Sequence, residues 1–429
     1  MTSETKRDNA EIEYLGTPFK LSRIALGTWA IGGWMWGGTD EMAAIGVIHE
    51  AVDRGVTLID TAPAYGFGRS EEIVGKALAE NGLRQRVVIA TKVGLDWKDG
   101  QPFRDGSKAR IRKEVEDSLR RLRTDVIDIY QVHWPDPEVP IEETAAAMAD
   151  LQRTGKIRVI GVSNFSPAQI EAFRKIAPVQ TVQSPYNLFE RATEEDVLPY
   201  SRDKNITVLA YGSLCRGLLS GRVTAQTQFG GDDLRKVDPK FRAPRFEQYL
   251  RAVERLDRFA QANYGRRVIY LALRWILDRQ EGTVALWGAR HPDQLAPIAG
   301  LRGWRIDSSA MAEIDRILSE TVVDAVGPEF MAPPFSARPR SPKRESMEDD
   351  MLEYVALRTK DLGQEAPSAD NVSEKARAKA VRTSYEFWST GDESLLEQAF
   401  AETFAEHFVR PRCKPAANGL RPSGAGGVR

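Results

Sequence analysis

Short apolar runs alternate with longer amphipathic segments from about Glu11 to Leu318. The runs that read as strands are Ile24–Gly27, Thr57–Asp60, Val87–Thr91, Ile127–His133, Ile157–Gly161, Thr181–Gln183, Ile206–Ala210 and Thr283–Leu286. Helical spacing fills the intervals, for example over 42–53, 70–78, 108–122, 141–153, 167–176 and 194–202. Strands rich in Val and Ile, each followed by a helix, require a parallel sheet covered on its outer face. Eight such units in about 300 residues fit an α/β chain closed into a (β/α)8 TIM barrel better than an open doubly wound sheet. Asp53-Arg54-Gly55 and Arg153-Thr154-Gly155-Lys156 carry the glycine expected where a helix stops ahead of the next strand.

The pattern breaks after Val326-Gly327-Pro328. Pro333, Pro334, Pro339 and Pro342 are interleaved with Arg338, Arg340, Lys343 and Arg344, a composition that cannot bury a core and reads as a linker. Amphipathic periodicity returns over 373–388 and 393–407, and the final stretch is rich in Pro, Gly, Arg and Ala without periodicity. The expected organisation is a barrel over 11–334, a linker over 335–370, a helical fragment over 371–410 and a disordered tail over 411–429.

Composition narrows the class of protein. Lys and Arg total 60 against 61 Asp and Glu, so no net charge favours a nucleic-acid or anionic-membrane partner. Two cysteines, Cys215 and Cys413, exclude a disulfide framework and a thiolate metal cluster, and His49, His291 and His407 are scattered, so no metal site is expected. The N-terminus is polar, and no stretch approaches the ~18 apolar residues of a membrane span. A cytoplasmic, soluble enzyme or binding protein is expected, acting on a small molecule; the sequence is silent on oligomeric state.

In a (β/α)8 barrel the reactive groups sit at the C-terminal ends of the strands. The second strand ends in Asp60, with Tyr65 in its loop; the third ends in Thr91-Lys92 and the fourth in His133. The fifth ends in Ser163-Asn164, the sixth in Gln183 and the seventh in Tyr211. A carboxylate, a phenol, an ammonium and an imidazole thus converge on one mouth. A free phenol titrates near 10, and an adjacent lysine is expected to lower that value. A buried lysine needs a counter-charge, which Asp60 supplies. Tyr65 as general acid, tuned by Lys92 and Asp60, with His133 orienting the substrate oxygen, is a set suited to protonating a developing alkoxide.

Such a proton needs a hydride to accompany it. No Gly-x-Gly-x-x-Gly joins a strand to a helix, so a Rossmann-type dinucleotide site is not signalled. Barrels often hold phosphate at the loops after strands seven and eight. Here those loops contain Gly212, Leu214, Arg216 and Gly217, then Gly288, Arg290 and Gln294, with Pro292 suited to a first helical turn. Arg216 and Arg290 are expected to bring charge to the anion. Ser163, Asn164 and Gln183 are the groups able to read a carboxamide, and Tyr211 offers a flat face. Cys215 reads as a small buried filler, and Arg110-Ile111-Arg112-Lys113 as a solvated helix start.

With those residues in place the chain resembles the aldo/keto reductases, and within them a bacterial general-stress-type branch. The resemblance runs from about Tyr14 to Pro334. It rests on Ala25-Leu26-Gly27-Thr28-Trp29, Asp60-Thr61-Ala62-Pro63-Ala64-Tyr65-Gly66, Thr91-Lys92, His133-Trp134-Pro135-Asp136 and Gly161-Val162-Ser163-Asn164-Phe165. It extends to Tyr211-Gly212-Ser213-Leu214-Cys215-Arg216-Gly217, Trp287-Gly288-Ala289-Arg290 and Val326-Gly327-Pro328-Glu329-Phe330-Met331-Ala332-Pro333-Pro334. The resemblance implies a catalytic tetrad of Asp60, Tyr65, Lys92 and His133, with Tyr65 as proton donor. It implies that Ser163, Asn164 and Gln183 hold a nicotinamide carboxamide and that Tyr211 stacks beneath the ring. Gly27, Thr28, Trp29 and Gly212 join the cofactor set; Leu214, Arg216 and Gly217 follow the pyrophosphate, and Gly288, Arg290 and Gln294 lie near the adenosine 2′-phosphate. NADPH is the expected cofactor, ahead of NADH, and Trp29, Trp34 and Trp134 are the expected substrate wall. Two departures stand out: Pro297 and Ile298 occupy places where many members carry an adenine-contacting Glu-Asn, and Gly212 replaces a common Ser.

The expected activity is reversible NADPH-dependent reduction of aldehydes or ketones. The alternative is an NADPH-binding regulatory or channel-associated subunit with little turnover, since some barrels of this superfamily serve that role. The segment Ala380–Asp392 with Leu395-Leu396 and Ala399-Phe400-Ala401 is similar to the start of SnoaL-like, polyketide-cyclase-type domains and is expected to be a truncated remnant.

Overall fold

The computed structural model describes residues 12–14, 17–80 and 82–334. A two-stranded hairpin, β1 (Ile12–Tyr14) and β2 (Lys20–Ser22), leads into the barrel strand β3 (Ile24–Gly27). The chain then alternates α1 (Trp29–Gly32) and α2 (Glu41–Asp53), β4 (Leu58–Asp60), α3 (Arg69–Ala79) and β5 (Val88–Val93). A second hairpin, β6 (Leu95–Lys98) and β7 (Gln101–Arg104), precedes α4 (Lys108–Leu122) and β8 (Ile127–Val132). The succession continues through α5 (Ile141–Arg153), β9 (Ile157–Ser163), α6 (Pro167–Arg174), β10 (Thr181–Pro185), α7 (Val197–Asp203) and β11 (Thr207–Tyr211). Helices α8 (Arg245–Tyr264) and α9 (Val268–Arg279), strand β12 (Thr283–Gly288) and α10 (Ser308–Thr321) complete it.

The strands β3, β4, β5, β8, β9, β10, β11 and β12 pair in parallel and close, with β12 against β3 through Ala285↔Ile24 to Gly288↔Gly27. The expected (β/α)8 barrel is therefore present, and each of the eight predicted runs lies on one of its strands. Helix boundaries follow local chemistry. Asp40 and Ser107 cap α2 and α4 through their side chains, Ser166 and Gln169 form a capping box ahead of Pro167, and Gly55 and Gly155 take positive φ after α2 and α5.

Side chains alternate across each strand, so one set faces the barrel axis and the other meets the helices. The axial set includes Ala25, Leu58, Ala90, Ile129, Val159, Leu209 and Val284, with Leu21 of the β1–β2 hairpin closing the end from which the strands start. The outer set packs with the helices into a second, larger core. One inward step toward the mouth, Leu58 is followed by Asp60, Ala90 by Lys92, and Ile129 by Gln131 and then His133. The same period that builds the core therefore delivers the polar groups to the opening.

The β6–β7 hairpin fills the connection after the third barrel strand. It is held by Arg104, which bonds the main chain of Pro333 (2.9 Å), Pro334 (2.8 Å) and Pro135 (2.9 Å), contacts no local pattern foretells. Arg110 is not solvated as expected: it lies buried over the Trp97 ring and pairs with Asp96 at 3.0 Å and with Glu114, because α4 packs beneath this hairpin. The expected linker, helical fragment and tail over 335–429, with their likeness to SnoaL-like domains, lie outside the described residues.

Candidate active site

Lys92 is fully buried, and its Nζ donates to Asp60 Oδ2 (2.7 Å), to the Thr61 carbonyl (2.9 Å) and to Tyr65 Oη (3.1 Å). Three acceptors match the three protons of an ammonium group. Asp60 in turn accepts on Oδ1 from Gln183 Nε2 (2.8 Å) and Gln131 Nε2 (3.3 Å). The His133 ring stands edge-on to Tyr65 with centroids 5.9 Å apart. The structure thus brings Asp60, Tyr65, Lys92 and His133 together at one mouth.

Burial pulls the Lys92 ammonium down, but Asp60 and then Tyr65 outweigh it and hold it above the usual lysine range. Burial, followed by the Lys92 charge, pushes His133 well below the usual histidine range, so it is neutral at physiological pH. The Tyr65 phenol corrects an expectation: burial raises it, Lys92 lowers it and Asp60 raises it, leaving it above its ordinary value rather than below. The carboxylate that neutralises Lys92 also spends part of the influence Lys92 has on the phenol.

Gly32 explains how Tyr65 is seated. A Cβ there would lie 2.5 Å from the Tyr65 carbonyl oxygen, so only glycine lets α1 approach the loop that carries the phenol. Thr28 is buried behind that loop, and its hydroxyl donates to the Asp60 carbonyl at 2.9 Å, which makes its side chain a brace for Asp60 rather than a ligand donor. Trp29 stacks on Tyr65 at 6.0 Å and meets Trp36 edge-on at 5.6 Å. Trp34 packs on Phe67, and Phe67 on Trp97, forming an aromatic rim from three loops. Phe67 and Trp97 were not marked by sequence pattern, because their loops meet only in the closed barrel. Trp134, expected in the substrate wall, is instead buried beneath the Arg104 guanidinium.

Ser163, Asn164 and Tyr211 are joined into one hydrogen-bonded group. Asn164, in the left-handed region at φ 61°, donates to the His133 carbonyl (3.0 Å) and to Ser163 Oγ (3.1 Å) and accepts from Tyr211 Oη (3.0 Å). Beside it, Cys215, Arg216 and Gly217 form a left-handed turn with φ of 45°, 52° and 96°. Two successive non-glycine residues in that region carry strain of about 1–3 kcal/mol each, a feature that clusters at ligand-binding sites.

Arg216 corrects a second expectation. Its guanidinium is buried and paired with Glu190 and Asp238, and Glu190 also accepts from Lys240 at 2.8 Å. Burial works to raise Glu190, but the two cations hold it down at about 2. The charge of Arg216 is thus cancelled inside the protein, since a buried cation must be paired. No local pattern marks Glu190, Asp238 and Lys240, which lie 22 or more residues from Arg216 along the chain. Cys215 is a buried filler as expected, its thiol pushed up to about 12 by burial.

Arg290 donates to the carbonyls of Trp36 (2.9 Å) and Gly38 (2.7 Å), and among the described residues no carboxylate pairs with it. Its charge therefore remains available. Gln294 Oε1 instead caps the turn, accepting from the main chain of Arg290 (2.8 Å) and His291 (3.3 Å). Pro292 opens that turn as expected, and Ile298 is buried in the core, so its departure from the family pattern is a packing choice. The residues fit a nicotinamide dinucleotide: a Cβ added at Gly27, Gly212, Gly217 or Gly288 would meet nothing nearer than 3.7 Å, so the main chain is open at each of these glycines.

Comparison with known proteins agrees with this geometry. The model of the aldo/keto reductase family matches residues 23–319. Aldo-keto reductase YhdN of Bacillus subtilis is 60% identical over 318 residues, covering 74% of this chain and 96% of the relative. A protein named NADH-specific methylglyoxal reductase, from Escherichia coli, is 39% identical over 296 residues, covering 65% of this chain and 89% of its own length. A solved glycerol dehydrogenase from Gluconobacter oxydans superposes with a TM-score of 0.68 at 50% identity, covering 76% of this chain and all of that one. An aldo/keto reductase from Klebsiella pneumoniae, solved with NADP and acetate, gives 0.55 at 29% identity, covering 70% and 92%. Barrel, tetrad geometry and relatives converge: the chain belongs to the aldo/keto reductase family and is an oxidoreductase that reduces carbonyl compounds with a nicotinamide cofactor.

Proposed function

We propose that this barrel is an NADPH-preferring, cytoplasmic reductase of small aldehydes or ketones in which Tyr65 donates the proton. The observation that carries the reading is the Lys92 ammonium, bonded at once to Asp60 and Tyr65 at the barrel mouth. The cofactor supplies the hydride. The phenol of Tyr65 gives its proton to the oxygen of the reduced carbonyl, and Lys92 stabilises the phenolate left behind. Asp60 holds Lys92 charged and in place. Neutral His133 orients the substrate oxygen by a hydrogen bond.

On this reading Ser163, Asn164 and Gln183 hold the carboxamide, with Tyr211 beneath the ring and Gly27 and Gly288 leaving room at the strand ends. The left-handed turn at Leu214–Gly217, with Gly212, follows the pyrophosphate through main-chain groups. Arg290 meets the 2′-phosphate, which is the physical support for NADPH. Trp29 and Trp34, with Phe67 and Trp97, wall the substrate side. No specific observation favours the low-turnover subunit.

The test is steady-state reduction of a panel of aliphatic, aromatic and dicarbonyl substrates by the full chain and its Tyr65→Phe variant. Loss of at least a hundred-fold in kcat, with cofactor affinity retained, is the expected result. A Tyr65→Phe rate within a few-fold of the parent rules out Tyr65 as the acid. Cofactor binding without turnover of any substrate favours the regulatory subunit.

A further inference from the structure

Gln131 lies on β8 facing the barrel axis, one inward step below His133 and one above Ile129. It is fully buried, in register with Lys92 on β5 and with Gly161 on β9. A Cβ at Gly161 would lie 2.1 Å from Thr181 Oγ1 and 2.9 Å from Gln131 Cγ, so that glycine leaves room for both side chains. Its Nε2 points at Asp60 Oδ1, while its Oε1 has no partner among the described residues. An apolar side chain of the same volume would avoid that orphan oxygen above the aliphatic layer that holds Ile129. Placing the amide the other way would set Oε1 against the carboxylate, so the direction of donation follows from charge.

We infer that Gln131 is a positioning residue for catalysis, fixing Asp60 Oδ1 so that Oδ2 stays on Lys92. The inference rests on the proposed roles of Asp60, Lys92 and Tyr65. Three strands then supply the donors on Asp60: Lys92 from β5, Gln131 from β8 and Gln183 from β10. The two amides are not equivalent. Gln183 is the one proposed to hold the carboxamide, whereas Gln131 lies in the sealed layer below it. Gln131 is therefore the donor that remains on Asp60 Oδ1 whichever way Gln183 turns. Through Asp60 and Lys92 it acts on the phenol: without the positive end of its amide, the Asp60 charge bears more strongly on Tyr65 and raises it further.

The experiment compares the full chain with Gln131→Met, which keeps length and removes the donor, and with Gln131→Leu as a second packing of the same site. Thermal unfolding of cofactor-free protein and fluorescence titration of NADPH accompany the kinetics. Expected for Gln131→Met are a folded protein, a Kd for NADPH within two-fold, and a kcat lowered about ten-fold, the scale of one hydrogen bond to a charged group. The alkaline limb of alcohol oxidation moves upward by about half a pH unit or more. Gln183→Met, by contrast, raises the Kd. An unchanged kcat, or a lower kcat with the limb unmoved, overturns the inference. If neither apolar variant folds, Gln131 is a structural residue and the inference also falls. Tyr65→Phe assayed alongside separates the two levels: an active Tyr65→Phe defeats the proposed acid, whereas an inactive one beside an unaltered Gln131→Met defeats only the role of Gln131.

Discussion

Lys92 Nζ and Asp60 Oδ2 lie 2.7 Å apart, and both side chains are buried at the floor of the barrel mouth. Neither charge is tolerated there alone. The pair therefore acts as a unit, and its third member is the Tyr65 phenol, raised by burial and restrained by Lys92. On the proposed mechanism, reduction needs the phenol and oxidation the phenolate. The reductive rate is expected to stay level through about pH 9, while the oxidative rate climbs toward a limb above the ordinary tyrosine value of about 10. Lys92→Met removes the lowering charge and moves that limb further up, with a large loss of kcat. Rate–pH profiles in both directions check the sign.

Arg290 is the residue proposed to set cofactor choice. Its guanidinium contacts only neutral carbonyls among the described residues. Arg290→Gln is expected to lower kcat/KM for NADPH about ten- to a hundred-fold and to leave NADH within about three-fold, since only the former carries the extra phosphate. Parallel kinetics with the two cofactors measure the ratio. Equal losses for both overturn the assignment.

Asp238 and Glu190 neutralise Arg216 and Lys240 beneath the left-handed turn. Asp238→Ala leaves a buried guanidinium short of a partner and is expected to cost about 3–5 kcal/mol of stability. Denaturant unfolding of the full chain reads this directly. Because the strained turn rests on Arg216, cofactor affinity is expected to fall in the same variant.

Gly32 approaches Tyr65 through backbone on both sides, so neither partner can give way as a flexible side chain does. Gly32→Ala is expected to lower kcat at least ten-fold by displacing the phenol, with a smaller effect on cofactor affinity. Stopped-flow cofactor binding and steady-state rates separate the two effects.

The barrel was legible because alternation and helical spacing are local: Leu58 and Asp60, or Ala90 and Lys92, are two residues apart and must face the same way. The arrival of Asp60, Lys92 and His133 at the mouth was legible for the same reason, whereas Tyr65 lies in the loop beyond β4. Gln131 carried the same signal, a polar residue on an inward position of an apolar strand. The electrostatic outcome was not legible. Whether Lys92 lowers Tyr65, or Arg216 keeps its charge for an anion, depends on how completely each group is desolvated and which carboxylates reach it. Asp238 meets Arg216, and Arg104 meets Pro333, only when distant loops fold over one another. Local pattern by itself determined which side chains reach the mouth. Tertiary structure decided which of them remain chemically free there, because burial and pairing are set by contacts far apart along the chain.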